Sequence, residues 1–461
     1  MPRRAPNPNP NPAPATVLGG EHLLRLDAAL ADTDRLLAAA YPGDAGTRQP
    51  VHTVYIPADR CLPGLPADWG TAGLSAVENH GGLPALATLL GLDADLAAAV
   101  VPLVDAKLRT EPIEDLRLDF EDGYGLRPDA EEDAHAVRAA AAVAGAVRTG
   151  TAPPFVGIRF KSFEAATRAR GVRTLDLFLS GLLGSGPLPD GLVLTLPKVS
   201  TVDQVEAMAF TCGRLEEAHG LPPGRLRFEV QVETPQLILA ANGTVPVAPL
   251  IHRGKGRVSG LHYGTYDYSD SLQIAAAHQS MEHPAADYAK AVMQVAAAGT
   301  GVRLSDGSTN ILPLGTPGEV RSAWALHARL VRRSLERGFY QGWDLHPAQL
   351  PTRYLATYSF YREGFDAAAG RLRDYVQKRS GSVLDEPATA RALARFVHRG
   401  LLCGALTGDE VVRNTGLAGP DLAALAHPHA AAAGTEPASG TNTDAATTTN
   451  AATNAPTEKV R

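Results

Sequence analysis

The 461-residue sequence contains little cysteine, few aromatic residues and no long apolar run. Its three cysteines, Cys61, Cys212 and Cys403, are too few and too scattered for a disulfide framework or a zinc cluster, which fits a reducing compartment. The longest run of small apolar residues, 139–147, is about half of the roughly 18 residues that a membrane-spanning helix needs. Asn-Pro repeats, and no apolar segment, follow the first basic residues, so we predict no secretory signal and expect a cytoplasmic protein.

The sequence also lacks an excess of positive charge. Its 43 basic and 49 acidic residues give a formal net charge of -6, which argues against nucleic acid as a partner. We expect no membrane partner either. With 44% hydrophobic and 20% charged residues, the composition is that of a globular protein and excludes wholesale disorder.

Both ends of the chain have low-complexity composition. Residues 1–20 are rich in alternating proline, and residues 426–461 are mostly Ala, Thr, Asn, Gly and Ser. Such segments bury too little apolar surface to offset their ordering entropy, so we predict two disordered tails. Between them we predict a catalytic barrel over residues 21–350 and a helical extension over residues 351–425.

Short apolar stretches alternate with helical patterns along the predicted barrel. The candidate strands are 51–56, 115–120, 154–160, 191–197, 226–233, 258–264, 301–305 and 341–346, and the candidate helices are 129–147, 163–183, 201–219, 270–298 and 318–338. This alternation predicts an α/β fold, a (β/α)8 TIM barrel with additional C-terminal helices. A doubly wound sheet is the main alternative, but no strand is followed by a G-x-G-x-x-G or Walker loop.

Polar clusters follow most of the predicted strands. They are Asp119-Phe-Glu121-Asp122, Arg159-Phe-Lys161, Pro197-Lys198, Glu233-Thr-Pro, Gly264-Thr-Tyr-Asp267 and Asp344-Leu-His346-Pro. Any one of these clusters is compatible with an ordinary strand end that meets solvent. Barrel enzymes build their sites at the carboxyl ends of the strands, and the repetition therefore predicts an active site there.

These stretches resemble the HpcH/HpaI aldolase and citrate lyase β-subunit family. LRLDFEDG, GIRFK, LTLPKV, VQVETPQ, GTYDYS and QGWDLHPAQ follow one another as that family's strand-end motifs do, and YIPADR at 55–60 resembles its opening motif. The resemblance covers about residues 51–350. It implies a phosphoenolpyruvate/pyruvate-type TIM barrel and a Mg²⁺-dependent carbon–carbon lyase or aldolase that self-associates.

The resemblance implies that Glu233 and Asp267 are the metal ligands. A hard cation such as Mg²⁺, with Mn²⁺ as the alternative, prefers carboxylate oxygens and stabilises the enolate that forms when a carbon–carbon bond breaks beside a carbonyl. The alternatives to metal binding are structural: Glu233 would be a charge at the start of a helix, and Asp267 would be a turn residue.

The same resemblance assigns roles to three further residues. It implies that Arg159 binds the substrate carboxylate, although a structural salt bridge to the Asp119–Asp122 cluster is the alternative. It also implies that Glu121 and Asp122 act in catalysis by ordering metal-bound water and basic side chains.

Three other polar residues are candidate substrate contacts. Arg60 is either a phosphate or carboxylate contact or a solvated charge. Lys198 could form a Schiff base, but the resemblance to a metal-dependent family favours an electrostatic role. His346 either orients substrate or caps the following helix.

Substrate recognition is where the sequence departs from the family. Lys161 replaces a neutral amide of the family's motif, and a basic insert occupies residues 252–257. Together with Arg60 these residues favour a CoA thioester, whereas Lys161 beside Arg159 equally suits a small free dicarboxylic acid. We therefore expect a small oxo or hydroxy acid, free or as its acyl-CoA thioester. The alternatives are phosphoryl transfer on an enolpyruvate-type substrate and a catalytically silent barrel that acts as a binding module.

Overall fold

The computed structural model describes residues 17–377 and 386–428. Within these ranges eight strands form one parallel sheet in the order β7-β6-β5-β4-β3-β2-β1-β8. The strands are β1 His52–Pro57, β2 Asp115–Asp119, β3 Phe155–Arg159, β4 Leu192–Leu196, β5 Phe228–Val232, β6 Val258–Tyr263, β7 Arg303–Ser305 and β8 Gly342–Asp344. A parallel bridge between Ser305 and Gln341 joins the two edges, so the predicted (β/α)8 barrel is confirmed.

Helices surround the barrel and extend beyond it. They are α1 Gly20–Ala40, α2 Leu65–Glu78, α3 Gly82–Leu89, α4 Ala94–Thr110, α5 Asp129–Thr149, α6 Arg168–Leu183, α7 Val202–His219, α8 Val247–Arg253, α9 Thr265–Ser271, α10 Pro284–Ala297, α11 Pro317–Glu336, α12 Leu350–Val376, α13 Pro387–Leu402, α14 Gly408–Thr415 and α15 Gly419–Ala426. None of the helices in the described ranges is long and apolar enough to cross a bilayer.

Helix α7 illustrates how the hydrophobic periodicity builds the barrel wall. Val205, Met208 and Cys212 recur on one helical face and are all buried in the main core. At the start of the helix, Oε1 of Gln204 accepts a 3.0 Å hydrogen bond from the backbone N–H of Thr201. This contact satisfies a donor that the first helical turn leaves unpaired.

The single helix expected over 270–298 is wrong. The segment instead contains the end of α9, a short 3-10 turn at Ala276–His278 and then α10. Pro284 has no backbone N–H and favours the first turn of a helix, so α10 begins at this residue.

The two ends of the folded region also differ in detail from the sequence-based division. Helix α1, which the sequence did not predict, has no buried residue. Helix α12 follows β8 and packs against α11 and α4, so it completes the ring of barrel helices beyond the predicted boundary at residue 350. Residues 1–16 and 429–461, which make up most of the two predicted tails, lie outside the described residues.

Candidate active site

The predicted site residues lie at the carboxyl ends of consecutive strands. Arg159 is the last residue of β3, Lys198 follows β4, Glu233 follows β5, and Asp267 lies in the first turn of α9 after β6. Because the strands are parallel and neighbouring, their side chains meet at one mouth of the barrel.

Glu233 is held in a buried position between the ends of β4 and β6. Its side chain is buried, and its Oε1 accepts a 2.6 Å hydrogen bond from the backbone N–H of Lys198. On the other side lies Gly264, where a Cβ atom would be 2.7 Å from Oε2 of Glu233. The absence of a side chain at Gly264 therefore leaves room for the carboxylate.

Lys198 connects the acidic residues of the site. Its Nζ lies 3.0 Å from Oδ1 of Asp267, 3.1 Å from Oδ2 of Asp122 and 3.4 Å from Oε1 of Glu121. Its backbone has a φ of 50°, a left-handed conformation that is uncommon for a residue with a side chain. This conformation aims the backbone N–H at Glu233 while the side chain spans the mouth.

Arg159 makes the salt bridge that the sequence left as the alternative to substrate binding. Its Nε and Nη2 each lie 2.7 Å from an oxygen of Asp119. Among the residues that the structure describes, Nη1 makes only long contacts, 3.4 Å to Oε1 of Gln231 and 3.4 Å to Oε2 of Glu121. The guanidinium also lies over the ring of Tyr55, 4.8 Å from its centroid. Two of its nitrogens are thus fixed in place, while Nη1 remains able to bond more strongly to a ligand.

Glu121 and Asp122 begin the loop after β2 and sit in different environments. Glu121 is buried, and its Oε2 accepts a 2.9 Å hydrogen bond from the backbone N–H of Asp122. The side chain of Asp122 is half exposed and reaches Lys198. Both residues therefore border the cluster that contains Asp267.

Burial raises the free energy of the negatively charged form of the carboxylates at this end of the barrel. Desolvation and the nearby charge of Asp267 raise the pKa of Glu233 from its ordinary 4.5 to about 7. Desolvation and the neighbouring Asp122 likewise raise the pKa of Glu121. Burial opposes the charge of Lys198, but the surrounding carboxylates raise its pKa. The arrangement therefore favours the presence of positive charge among these carboxylates.

Arg60 and His346 are the remaining candidate substrate contacts. Arg60 ends a 3-10 turn after β1, is exposed, and makes no ion pair within the described residues. His346 caps the turn Pro347–Gln349, since its Nδ1 accepts a 3.2 Å hydrogen bond from the backbone N–H of Ala348. This hydrogen bond corresponds to the capping role that the sequence allowed for His346 as an alternative to orienting substrate.

Two of the basic features proposed to recognise substrate, Lys161 and residues 252–257, do not lie where that role requires. Lys161 is buried, and its Nζ lies 2.6 Å from Oε2 of Glu132, so it is not directed at a substrate beside Arg159. Residues 252–257 immediately precede β6 and so lie at the opposite end of the barrel from the site. Their position therefore does not support the contribution to recognition of a CoA thioester that the sequence suggested for this insert.

Sequence reasoning identified Asp119 and Glu233 but missed the buried polar residues that precede them on β2 and β5. Asp115, Arg117 and Asp119 alternate along β2, and Glu229, Gln231 and Glu233 alternate along and just after β5. All six are buried. The guanidinium of Arg117 bonds to Asp115 at 2.5 Å and to Glu229 at 3.1 Å. The period-two spacing of polar residues in both strands was the available signal, because alternate strand residues face the barrel interior.

The donor set fits a hard divalent cation. Within residues 17–377 and 386–428, no three His, Cys, Asp or Glu side chains converge closely enough to hold a metal ion by themselves. Glu233, just after β5, and Asp267, in the helix that follows β6, offer two carboxylates. Mg²⁺ is commonly held by one or two carboxylates together with water and substrate oxygens.

A cavity of about 730 Å³ lies away from this cluster. It is lined by residues 42–45, by Thr47 and by residues before or early in β3 to β7, among them Phe155, Leu192, Arg227 and Arg303. The cavity therefore lies at the amino-terminal end of the barrel. Barrel enzymes bind substrate at the carboxyl-terminal end, where the charged residues converge here, and we therefore place the candidate site at that end.

Comparisons with known proteins agree with the fold. A family model described as a domain of unknown function (DUF6986) matches residues 30–430. No curated protein matches the chain. Among solved structures, a citrate lyase from Burkholderia xenovorans LB400 is 17% identical, with a TM-score of 0.53 over 80% of this chain and 96% of that chain. This likeness confirms the fold that the strand-end motifs implied.

Two further solved structures are similar at lower scores. A Haloferax volcanii malate synthase is 16% identical, with a TM-score of 0.45 over 67% of this chain and 76% of that chain. CitE from Mycobacterium tuberculosis, in complex with magnesium, acetoacetate and coenzyme A, is 17% identical, with a TM-score of 0.44 over 78% of this chain and 99% of that chain.

Proposed function

We propose that this chain, which belongs to the DUF6986 family, is a Mg²⁺-dependent carbon–carbon lyase or aldolase. The observation that carries the proposal is the meeting of Glu233, Asp267 and Arg159 at the carboxyl ends of three barrel strands. These are the residues to which the sequence resemblance gives the metal and substrate roles. The proposed substrate is a small hydroxy or oxo acid, free or as its acyl-CoA thioester.

Glu233 and Asp267 would hold the cation. Oε1 of Glu233 accepts a hydrogen bond from the backbone N–H of Lys198, and Oε2 lies on the side of Gly264. When bound, the cation stabilises the negative charge that develops on a carbonyl oxygen as the carbon–carbon bond breaks.

Arg159 would bind the substrate carboxylate through Nη1. Asp119 holds the other side of the guanidinium with two 2.7 Å hydrogen bonds, so the group is oriented before substrate arrives. The weak 3.4 Å contacts of Nη1 would be exchanged for a stronger bond to a carboxylate oxygen.

Glu121 and Asp122 would position water and the ammonium of Lys198. Burial disfavours charge on Glu121, which gives that residue the capacity to hold a proton near neutral pH. Lys198 takes an electrostatic role in this proposal, because carboxylates surround its ammonium and raise its pKa, which leaves little neutral amine for Schiff-base formation.

The experiment is a cleavage screen with purified protein and Mg²⁺. Malyl-CoA-type thioesters form one panel and free 4-hydroxy-2-oxo acids the other, and the readout is release of glyoxylate or pyruvate. We expect release from one panel, and its loss when the cation is chelated. If calorimetry shows bound metal and neither panel is cleaved, the lyase proposal is overturned and phosphoryl transfer on an enolpyruvate becomes the hypothesis to test.

Self-association is part of the same proposal. The family resemblance is its support, and light scattering at micromolar protein concentration tests it directly. A monomeric mass would contradict it.

A further inference from the structure

Lys198 occupies the centre of the carboxylate cluster at the barrel mouth. Its Nζ contacts Asp267 at 3.0 Å, Asp122 at 3.1 Å and Glu121 at 3.4 Å. Arg159, the other cationic group described at this mouth, pairs mainly with Asp119 at 2.7 Å and makes only a longer 3.4 Å contact with Glu121. Lys198 is therefore the side chain that neutralises the acidic residues on which the proposed cation site depends.

The contact with Asp267 uses a carboxylate that the proposed function assigns to the metal. A carboxylate oxygen bound to Mg²⁺ lies about 2.0–2.1 Å from the ion. An ammonium 3.0 Å from that oxygen would then lie within a few ångströms of a doubly charged cation. Two such charges repel strongly at this distance in a partly buried site, which favours movement of the ammonium away from Asp267 when a cation binds Oδ1.

The two ends of Lys198 are held differently. Its backbone N–H bonds to the buried Glu233 at 2.6 Å, and its backbone is in the left-handed region. The ammonium instead contacts Asp122 and Asp267, whose side chains are about half exposed. The side chain can therefore leave the cluster while the backbone still orients Glu233.

We infer that the Lys198 ammonium is the built-in counter-ion of this cluster and that a divalent cation binds by displacing it from Asp267. This inference rests on the proposed function, because it takes Glu233 and Asp267 as the cation ligands. Lys198 is then a positioning residue with two tasks: its backbone fixes Glu233, and its side chain holds the acidic residues together until the cation arrives.

The first test measures Mg²⁺ affinity by calorimetry in the full chain. Lys198→Met and Lys198→Gln remove the competing charge, and we expect each to bind Mg²⁺ about tenfold or more tightly than the unmodified chain. Lys198→Arg keeps the charge and is expected not to gain affinity. The matched control is Lys255→Met, because Lys255 is also a lysine with positive φ but is exposed and distant from the cluster.

The second test separates displacement from a general effect of charge. Lysine side chains are labelled by reductive methylation with and without Mg²⁺, and the rate at Lys198 is compared with that at Lys255 by mass spectrometry of the peptides. Displacement predicts that Mg²⁺ accelerates labelling of Lys198 several-fold and leaves Lys255 unchanged.

The outcomes of the two tests separate failure of this inference from failure of the proposed function. Unchanged or weaker Mg²⁺ affinity in both Lys198→Met and Lys198→Gln, or unchanged labelling of Lys198 in the presence of bound Mg²⁺, overturns the inference alone. If neither the unmodified chain nor any variant binds Mg²⁺, the metal assignment of the proposed function fails and the inference fails with it. Tighter binding in the two neutral variants together with faster labelling supports both.

Discussion

Gly264 and Glu233 lie so close that a Cβ atom on Gly264 would be 2.5 Å from the Cβ of Glu233 and 2.7 Å from its Oε2. Gly264 has a φ of -97°, which any residue adopts, so the requirement for glycine here is one of space rather than of backbone conformation. The glycine that follows β6 thus leaves the space that the side chain of Glu233, just after β5, occupies.

Gly264→Ala is therefore expected to weaken Mg²⁺ binding without preventing folding. The added methyl group would overlap Cβ and Oε2 of Glu233, so this side chain must move, and loss of the contacts that orient a metal ligand typically costs about 10–100-fold in metal affinity. Calorimetric titration measures the effect. Gly260→Ala is the matched control in the same strand, because its Cβ would meet neighbours only at ordinary distances of 3.5 Å or more. Equal affinity in the two variants would contradict this account.

Removing either proposed ligand should have a larger effect. Glu233→Gln and Asp267→Asn keep the shape of the side chain but remove its charge, and each is expected to lower Mg²⁺ affinity by more than about 100-fold. Glu217→Gln serves as the control, because Glu217 is an exposed carboxylate on α7 that pairs with Arg214. Unchanged affinity in both ligand variants, with thermal unfolding showing an intact fold, would remove the metal assignment.

Local sequence patterns were sufficient to predict the strands. They also predicted the end of the barrel at which the charged residues gather. Apolar stretches such as that of β4 can be recognised directly in the sequence, and parallel strands bring their carboxyl ends together. The gathering of Lys198, Glu233 and Asp267 follows from this topology.

The partners of individual charged residues could not be predicted in the same way. Lys161 follows the last residue of β3 closely enough to suggest a role beside Arg159, yet it turns to Glu132 on α5. This choice depends on the three-dimensional position of α5, which residue spacing does not specify. The break in the helix expected over 270–298 was different, because Pro284 marked it in the sequence.

Arg159→Lys tests whether the guanidinium of Arg159 binds substrate or only forms the salt bridge with Asp119. Lysine keeps the charge but loses the paired hydrogen bonds, and about 3 kcal/mol for a buried charged contact corresponds to a loss of about 10²-fold in kcat/KM. Steady-state kinetics and thermal unfolding are measured on the same samples. A large loss of kcat/KM is expected even under conditions where the variant is fully folded. If the melting temperature falls and kcat/KM of the folded protein does not, the role of Arg159 is confined to the salt bridge.

The C-terminal helices offer a pH-dependent prediction that is independent of the active site. Glu410 in α14 bonds to Arg362 of α12 at 2.6 and 3.1 Å and caps its own helix through Thr407. The hydrogen bond from Arg362 is the main cause that lowers the pKa of Glu410 from 4.5 to about 2. Because the pKa is lower in the folded state, the carboxylate stabilises the fold above pH 4.5, and this contribution is lost as the pH falls towards about 2.

Glu410→Gln should accordingly reduce the free energy of unfolding by about 1–3 kcal/mol at neutral pH. The difference from the unmodified chain should shrink steadily between pH 4.5 and about 2, where Glu410 itself becomes protonated. Thermal unfolding at a series of pH values measures both effects. Asp409→Asn is the control, since Asp409 is the neighbouring exposed carboxylate in the same helix turn. A destabilisation by Glu410→Gln that stays constant across this pH range would mean that the ion pair with Arg362 is not its cause.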